Sequence, residues 1–263
     1  MTELFAQNRE RLAPLFFGTQ NTMVLTCLQG HMGRAFADSA DSPACAKILV
    51  GDFCLFAGDP GNRAALELVR HIPEEFSSPQ LLAIPPTKRW GALIEQEYDG
   101  RLERLTRYAI KKEPDAFDPE QLSQFAARLP QGFSIVQIDR RLAMQCMEQD
   151  FSRDFCSQFD SPEDFVRRGL GYCALFDGRI VAGASSYTIF DGGIEIEVDT
   201  HPAFRRRGLA AACAAALILE CLDRGWYPSW DAANLSSVAL SEKLGYHLDY
   251  AYPAYAIKCL QKK

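Results

Sequence analysis

Residues 198 to 210 read Val-Asp-Thr-His-Pro-Ala-Phe-Arg-Arg-Arg-Gly-Leu-Ala and form the densest chemical signal in the chain. The order predicts a strand, a proline-containing turn, three consecutive arginines and then a helix opening near Gly208 and running through small residues, 210–216. A helix N-terminus exposes unpaired N–H groups and the positive end of the peptide dipole. Arg205, Arg206 and Arg207 are therefore on the less favourable end, by about 0.3 kcal/mol each. A bound anion reverses that sign. Gly208 lets backbone approach a ligand closely, and the amides of the next turn, through Leu209 and Ala210, then grip phosphate oxygens while guanidinium groups add charge. This is the logic of a pyrophosphate site. A solvated basic turn is the competing reading of an isolated arginine run; the glycine and the small helix face favour the anion.

Just upstream, residues 194–200 alternate. Glu195, Glu197 and Asp199 fall on one side of the strand, and Ile194, Ile196 and Val198 on the other. With the apolar side toward the core, the carboxylates form a row along one side of the strand. A solvent-facing edge strand gives the same alternation, and a bulge shifts it. Such a row also attracts a cationic amine, whether of an aminoglycoside-like or polyamine-like molecule or a peptide N-terminus.

The elements that must position these groups are legible around them. Strand 133–138 and helix 139–149 come first, and Ser161 with Pro162 opens a short helix ending near Gly169. Strands 172–176, 180–190 and 194–200 then follow one another through Asp177-Gly178 and Asp191-Gly192-Gly193, a three-stranded antiparallel meander. Helix 207–222, strand 227–231, helix 234–244 closed by Gly245 and one or two strands over 246–257 complete a mixed sheet covered by helices. Segment 113–132, rich in proline and acidic residues around a helix 119–128, marks the boundary to an N-terminal α+β region. There 23–28, 47–50 and 53–57 read as strand-like apolar runs, 63–71 as a helix behind Asn62, and 90–112 as a helical stretch that Gly100 interrupts.

With 263 residues, a formal charge of −6 and 48% hydrophobic residues, the chain is long enough for one large or two small cores and has no basic field for nucleic acid. Nine cysteines without close pairs read as reduced thiols, the four histidines are too scattered for zinc, and no apolar run spans a bilayer. The expectation is a cytoplasmic protein. His201 reads as a turn histidine, Trp226 and Trp230 as packing or pocket walls beside the short strand, and Ser185 and Ser186 as a small polar pair within an apolar strand.

Arg205, Gly208 and Ala210 after a strand, then Asn234 at the start of the following helix and Lys243-Leu244-Gly245-Tyr246 at its end, resemble the GNAT superfamily of acyl-CoA-dependent N-acetyltransferases over 131–263. The phrasing of 193–218 and 230–246, with LQGHMGRAF and GDFCLFAGD in the N-terminal region, is similar to a bacterial subgroup with an added N-terminal region that includes the zwittermicin-resistance acetyltransferases. The resemblance implies an α/β fold: a C-terminal GNAT domain at 131–263, with a mixed, mostly antiparallel sheet flanked by helices, behind an α+β region at 1–130 that packs on it or is a degenerate copy of it. It implies a V-shaped opening between strands 194–200 and 227–231 for the pantetheine arm of acetyl-CoA. Backbone of Val198, Asp199 and Thr200 would bond the arm, amides from Arg206 to Ala210 the pyrophosphate, and Asn234, with Ser237 and Ser241 on its helix, the cofactor's amide region. Acetyl would pass to a primary amine by direct attack, in a monomer or homodimer, with no metal; the ammonium must first lose its proton, and in the carboxylate row Glu197 is the first candidate base and Glu195 the second. Ser241 stands where many members carry the tyrosine that protonates the departing thiolate; Tyr246, Tyr250, Tyr252, Tyr255 and solvent remain as substitutes. That departure leaves an alternative, an acyl-CoA-binding regulator whose chemistry has lapsed.

Overall fold

The computed structural model describes residues 1–259. The described residues gather into two compact units, Met1–Arg107 together with 251–259, and Tyr108–Tyr250. The first contains β1 (Thr2–Leu4), α1 (Thr22–Leu28), β2 (Arg34–Ala37), β3 (Cys45–Val50), β4 (Phe53–Gly58), α2 (Ala65–Arg70), β5 (Gln80–Ile84), α3 (Lys88–Glu97) and most of β6 (Leu102–Ile110). Strands β1 to β4 are antiparallel neighbours, β4 and β5 run parallel, and residues 255–258 lie antiparallel to β5. Its core joins Phe36, Leu49, Phe56, Leu68, Leu81, Trp90, Ile94 and Tyr98.

Two expectations for this region are corrected. The apolar run 23–28 is helical, because Asn21 accepts a hydrogen bond from the Met23 N–H at 2.9 Å and caps it; a short apolar run does not distinguish strand from buried helix by its period. The stretch 90–112 is a helix followed by a strand, reversed at Gly100, whose φ of +72° suits glycine.

The parallel pairing of β4 with β5 covers only three rungs, Phe53 to Leu82, Cys54 to Ala83 and Leu55 to Ile84, while β4 continues to Gly58. Trp90 fills the gap beyond the last rung. Its indole is fully buried, stacks on Phe56 at 5.1 Å and donates to the Gly58 carbonyl at 3.0 Å.

The second unit repeats the strand pairings of β1 to β5, three antiparallel and one parallel. It contains α4 (Pro119–Ala127), β7 (Phe133–Gln137), α5 (Arg140–Met147), α6 (Pro162–Arg168), β8 (Gly171–Phe176), β9 (Arg179–Phe190), β10 (Gly193–Thr200), α7 (Leu209–Asp223), β11 (Tyr227–Ser229), β12 (Asp231–Ala232), α8 (Leu235–Lys243) and the start of β13 (Leu248–Lys258). Strands β7 to β10 are antiparallel in sequence, and β11 lies parallel to β10 on its other edge. Strand β12 pairs with Tyr108 and Ala109 at the end of β6. Strand β9 is buried along nearly its whole length, which explains its continuous apolar text. Helix α7 buries Leu209, Ala212, Cys213, Ala214, Ala215, Leu217, Ile218 and Cys221, small and apolar residues that let it seat closely on β8 and β9. The mixed, mostly antiparallel α/β architecture expected from the sequence is the one observed.

Trp90→Ala should lower the unfolding free energy by about 3–5 kcal/mol, since it empties a large buried volume and strips the Gly58 carbonyl of its donor. Denaturant titration monitored by circular dichroism checks this; a loss under about 1 kcal/mol would mean the slot collapses without strain.

Candidate active site

Gly193 begins the arrangement. A Cβ there would lie 2.3 Å from the Tyr227 carbonyl oxygen, so only glycine lets β10 start against β11. The two strands then pair over Gly193–Tyr227, Ile194–Pro228 and Glu195–Ser229, and there the ladder stops. Beyond it β10 runs on through 196–200 with β9 on one side only. Alternate backbone groups of Val198, Asp199 and Thr200 therefore face an edge that β11 has left. The expected opening between parallel strands thus has a concrete origin in a three-rung ladder.

The register between β9 and β10 breaks at the Glu195–Ile196 step, and the surplus residue, Tyr187, lies on β9. The carboxylates do not share one environment. Glu195 is 4% exposed and accepts from the Ser229 hydroxyl at 2.6 Å, whereas Glu197 and Asp199 are half-buried. Ser229 in turn accepts from the ammonium of Lys112. Asp199 accepts from the Thr200 N–H at 2.6 Å and has the Arg205 guanidinium 3.6 Å away.

At the far end of β10, His201 turns the chain by accepting from the Ala203 N–H, and three exposed arginines follow. Arg205 donates to the Thr200 carbonyl at 3.1 Å, and Arg207 lies over the Phe204 ring at 5.4 Å. Among the described residues the Arg206 guanidinium has no such partner. The Arg206 backbone has φ +63°, uncommon for a side-chain-bearing residue, and Gly208 has φ +82° with nothing within 4 Å of a would-be Cβ. Gly208 opens α7 without any side-chain cap, so Leu209 and Ala210 begin the helix with outward N–H groups. Left-handed residues alternating with others, ahead of an uncapped helix, make an anion-binding concavity.

Asn234 caps α8, accepting from the Ser237 N–H at 3.0 Å and from the Ser236 hydroxyl, and remains exposed. Ser237 accepts from the Trp230 indole at 3.0 Å, and Trp230 is buried against Tyr246, which gives it the packing role. Ser241 and Tyr246 lie inside. The Ser241 hydroxyl donates to the Val238 carbonyl at 2.9 Å; the Tyr246 hydroxyl donates to the Pro228 carbonyl at 2.6 Å, and burial pushes its phenol well above the usual range. Tyr227, whose oxygen accepts from the Glu113 N–H, is pushed up to about 12, chiefly by burial. Ser186 is satisfied by the Leu170 backbone, and Ser185, directly opposite Glu197 on β9, is buried without a partner among the described residues.

Sequence reasoning missed Lys112 and Ser229. The helical spacing over 90–112 takes in Lys112, which instead follows β6; Ser229 carries only the signal of a short strand. A serine interrupting the apolar text of Tyr-Pro-Ser-Trp was the available signal.

A family model described as GNAT acetyltransferase matches residues 13–255. The chain belongs to that family. It is similar to an uncharacterized N-acetyltransferase, YdfB, of Bacillus subtilis (strain 168), 26% identical over 229 residues that cover 85% of each chain. It is also similar to the crystal structure of a GCN5-related N-acetyltransferase-like protein from Streptococcus suis 89/1591, 42% identical, with a TM-score of 0.87 over 97% of this chain and 100% of that one. A tandem GNAT protein from the clavulanic acid biosynthesis pathway shares the fold at 15% identity, with a TM-score of 0.56 over 99% of both chains. Acyl transfer is the activity this family membership supports.

Asn234→Ala should cost about 1 kcal/mol of stability through loss of the α8 cap, and Asn234→Asp should restore most of it. Equilibrium unfolding of the two variants tests this, and equal losses would show that capping is not what the side chain contributes.

Proposed function

We propose that this GNAT protein transfers the acetyl group of acetyl-CoA to a primary amine of a small molecule or peptide by direct attack, within the subgroup that includes the zwittermicin-resistance acetyltransferases. The observation that carries the reading is the edge of β10 left open beyond Glu195 and ending at an uncapped helix beside Arg206, whose guanidinium has no partner among the described residues. Bound there, acetyl-CoA supplies the activated thioester. Backbone of Val198, Asp199 and Thr200 serves as the ladder for the pantetheine arm, and the amides of Arg206 to Ala210, with Arg205 to Arg207 around them, take the pyrophosphate. Asn234 has its carbonyl engaged by α8 and an amide nitrogen available to the arm, with Ser237 next to it on the same turn.

Glu195 moves ahead of Glu197 as the base in this proposal. It is buried at the last paired rung, where the opening begins, and Ser229 fixes its orientation; Glu197, farther along and half-buried, draws the cationic amine. Tyr246 and Ser241 have no place in proton transfer here, because their hydroxyls are buried and bonded to carbonyls. The thiolate then takes its proton from solvent.

Thiol release against a panel of amines tests the reading. Cationic primary amines should be acetylated; Glu195→Gln should lower kcat by about 100-fold or more, and Arg206→Glu with Gly208→Glu should abolish acetyl-CoA binding while the protein stays folded. Preference for neutral or acidic acceptors, or an unchanged rate for Glu195→Gln, would overturn it.

A further inference from the structure

The chain from Lys112 through Ser229 to Glu195 has a direction fixed by chemistry. An ammonium group carries donors and no acceptor, so the Ser229 oxygen must accept from Lys112. A hydroxyl has one proton, and with its oxygen engaged by Lys112 that proton goes to Glu195, 2.6 Å away. Ser229 is fully buried and Glu195 nearly so, whereas Lys112 is half-buried at the open end of the chain. Linked hydrogen bonds in a low-dielectric interior polarise one another, so the charge of Lys112 is felt at the carboxylate through the serine.

We propose that Lys112 is a positioning residue for the transfer reaction: through Ser229 it orients Glu195 and holds it as the carboxylate that receives the amine proton. The inference rests on Glu195 acting as the base. Other groups face Glu195 as well. Its own strand carries Glu197, β9 brings Thr188 opposite and Tyr187 beside it, β11 brings Tyr227, and the turn after α8 brings Tyr246. Glu113 lies against Tyr227 and is paired with His247 at 2.8 Å. Among these neighbours Lys112 is the one whose ammonium is hydrogen-bonded into the chain; without it, burial and the like charge of Glu197 on the same strand push Glu195 toward its protonated form.

The sign follows. Glu195 is an active base only when ionised, so loss of Lys112 moves the acidic limb of the kcat–pH profile to higher pH. Lys112→Met should move its midpoint up by about one pH unit, lower kcat about tenfold on that limb and leave KM for acetyl-CoA within about twofold. Lys112→Arg should restore the wild-type midpoint. Ser229→Ala should produce the same shift, and the double variant Lys112→Met/Ser229→Ala should add nothing to it, because both break one chain. Thermal melts of each variant separate misfolding from this effect. A midpoint unmoved in Lys112→Met while Glu195→Gln remains inactive would overturn the role of Lys112 alone; full activity of Glu195→Gln would instead remove Glu195 as the base, and the inference with it.

Discussion

The short parallel ladder between β10 and β11 is the constraint on which the candidate site depends. Three rungs, made possible by a glycine that admits a neighbouring carbonyl, hold the strands together, and the absence of a fourth separates them. Each functional group takes its position from that point. Glu195 and Ser229 are the last rung, Val198 to Thr200 are the backbone left over, and the turn into α7 lies at the end of that leftover stretch. Had β11 continued, the backbone donors and acceptors of β10 would be satisfied within the sheet and no edge would remain for a ligand arm.

The first unit makes the same ladder and puts it to a different use. Its last rung is Leu55 with Ile84 where the second has Glu195 with Ser229, so no proton acceptor is present there. Trp90 is the third residue after the cap Thr87, as Ser237 is the third after the cap Asn234. A tryptophan at that place reaches the Gly58 carbonyl and closes the gap with its own ring; a serine leaves it open. One backbone plan thus supports a packed core in one case and a candidate ligand slot in the other, and side-chain volume at a single helical position separates them.

Much of the second unit was legible in the sequence because its signals are local. The turns at Asp177-Gly178 and Asp191-Gly192-Gly193, the helix starts at Ser161 and Asn234, and the Arg-rich approach to Gly208 each specify a conformation within a few residues. The first unit was harder. The run 23–28 is too short for its period to separate helix from strand, and the stretch to Lys112 changes from helix to strand across one glycine. Strand alternation puts Glu195, Glu197 and Asp199 in one row but could not report that Glu195 is buried while the others are half-buried, because burial is set by what packs above the strand. The Lys112–Ser229–Glu195 chain was invisible for the same reason: its members are far apart in sequence, and nothing in a lysine or a serine alone marks them as partners.

The proposed function puts one acyl-CoA slot in the second unit, opened where β10 and β11 part, and none in the first, where Trp90 fills the corresponding gap. Isothermal titration of the full-length protein with acetyl-CoA tests this most directly. One molecule should bind per chain; two equivalents, or none, would contradict the proposed slot.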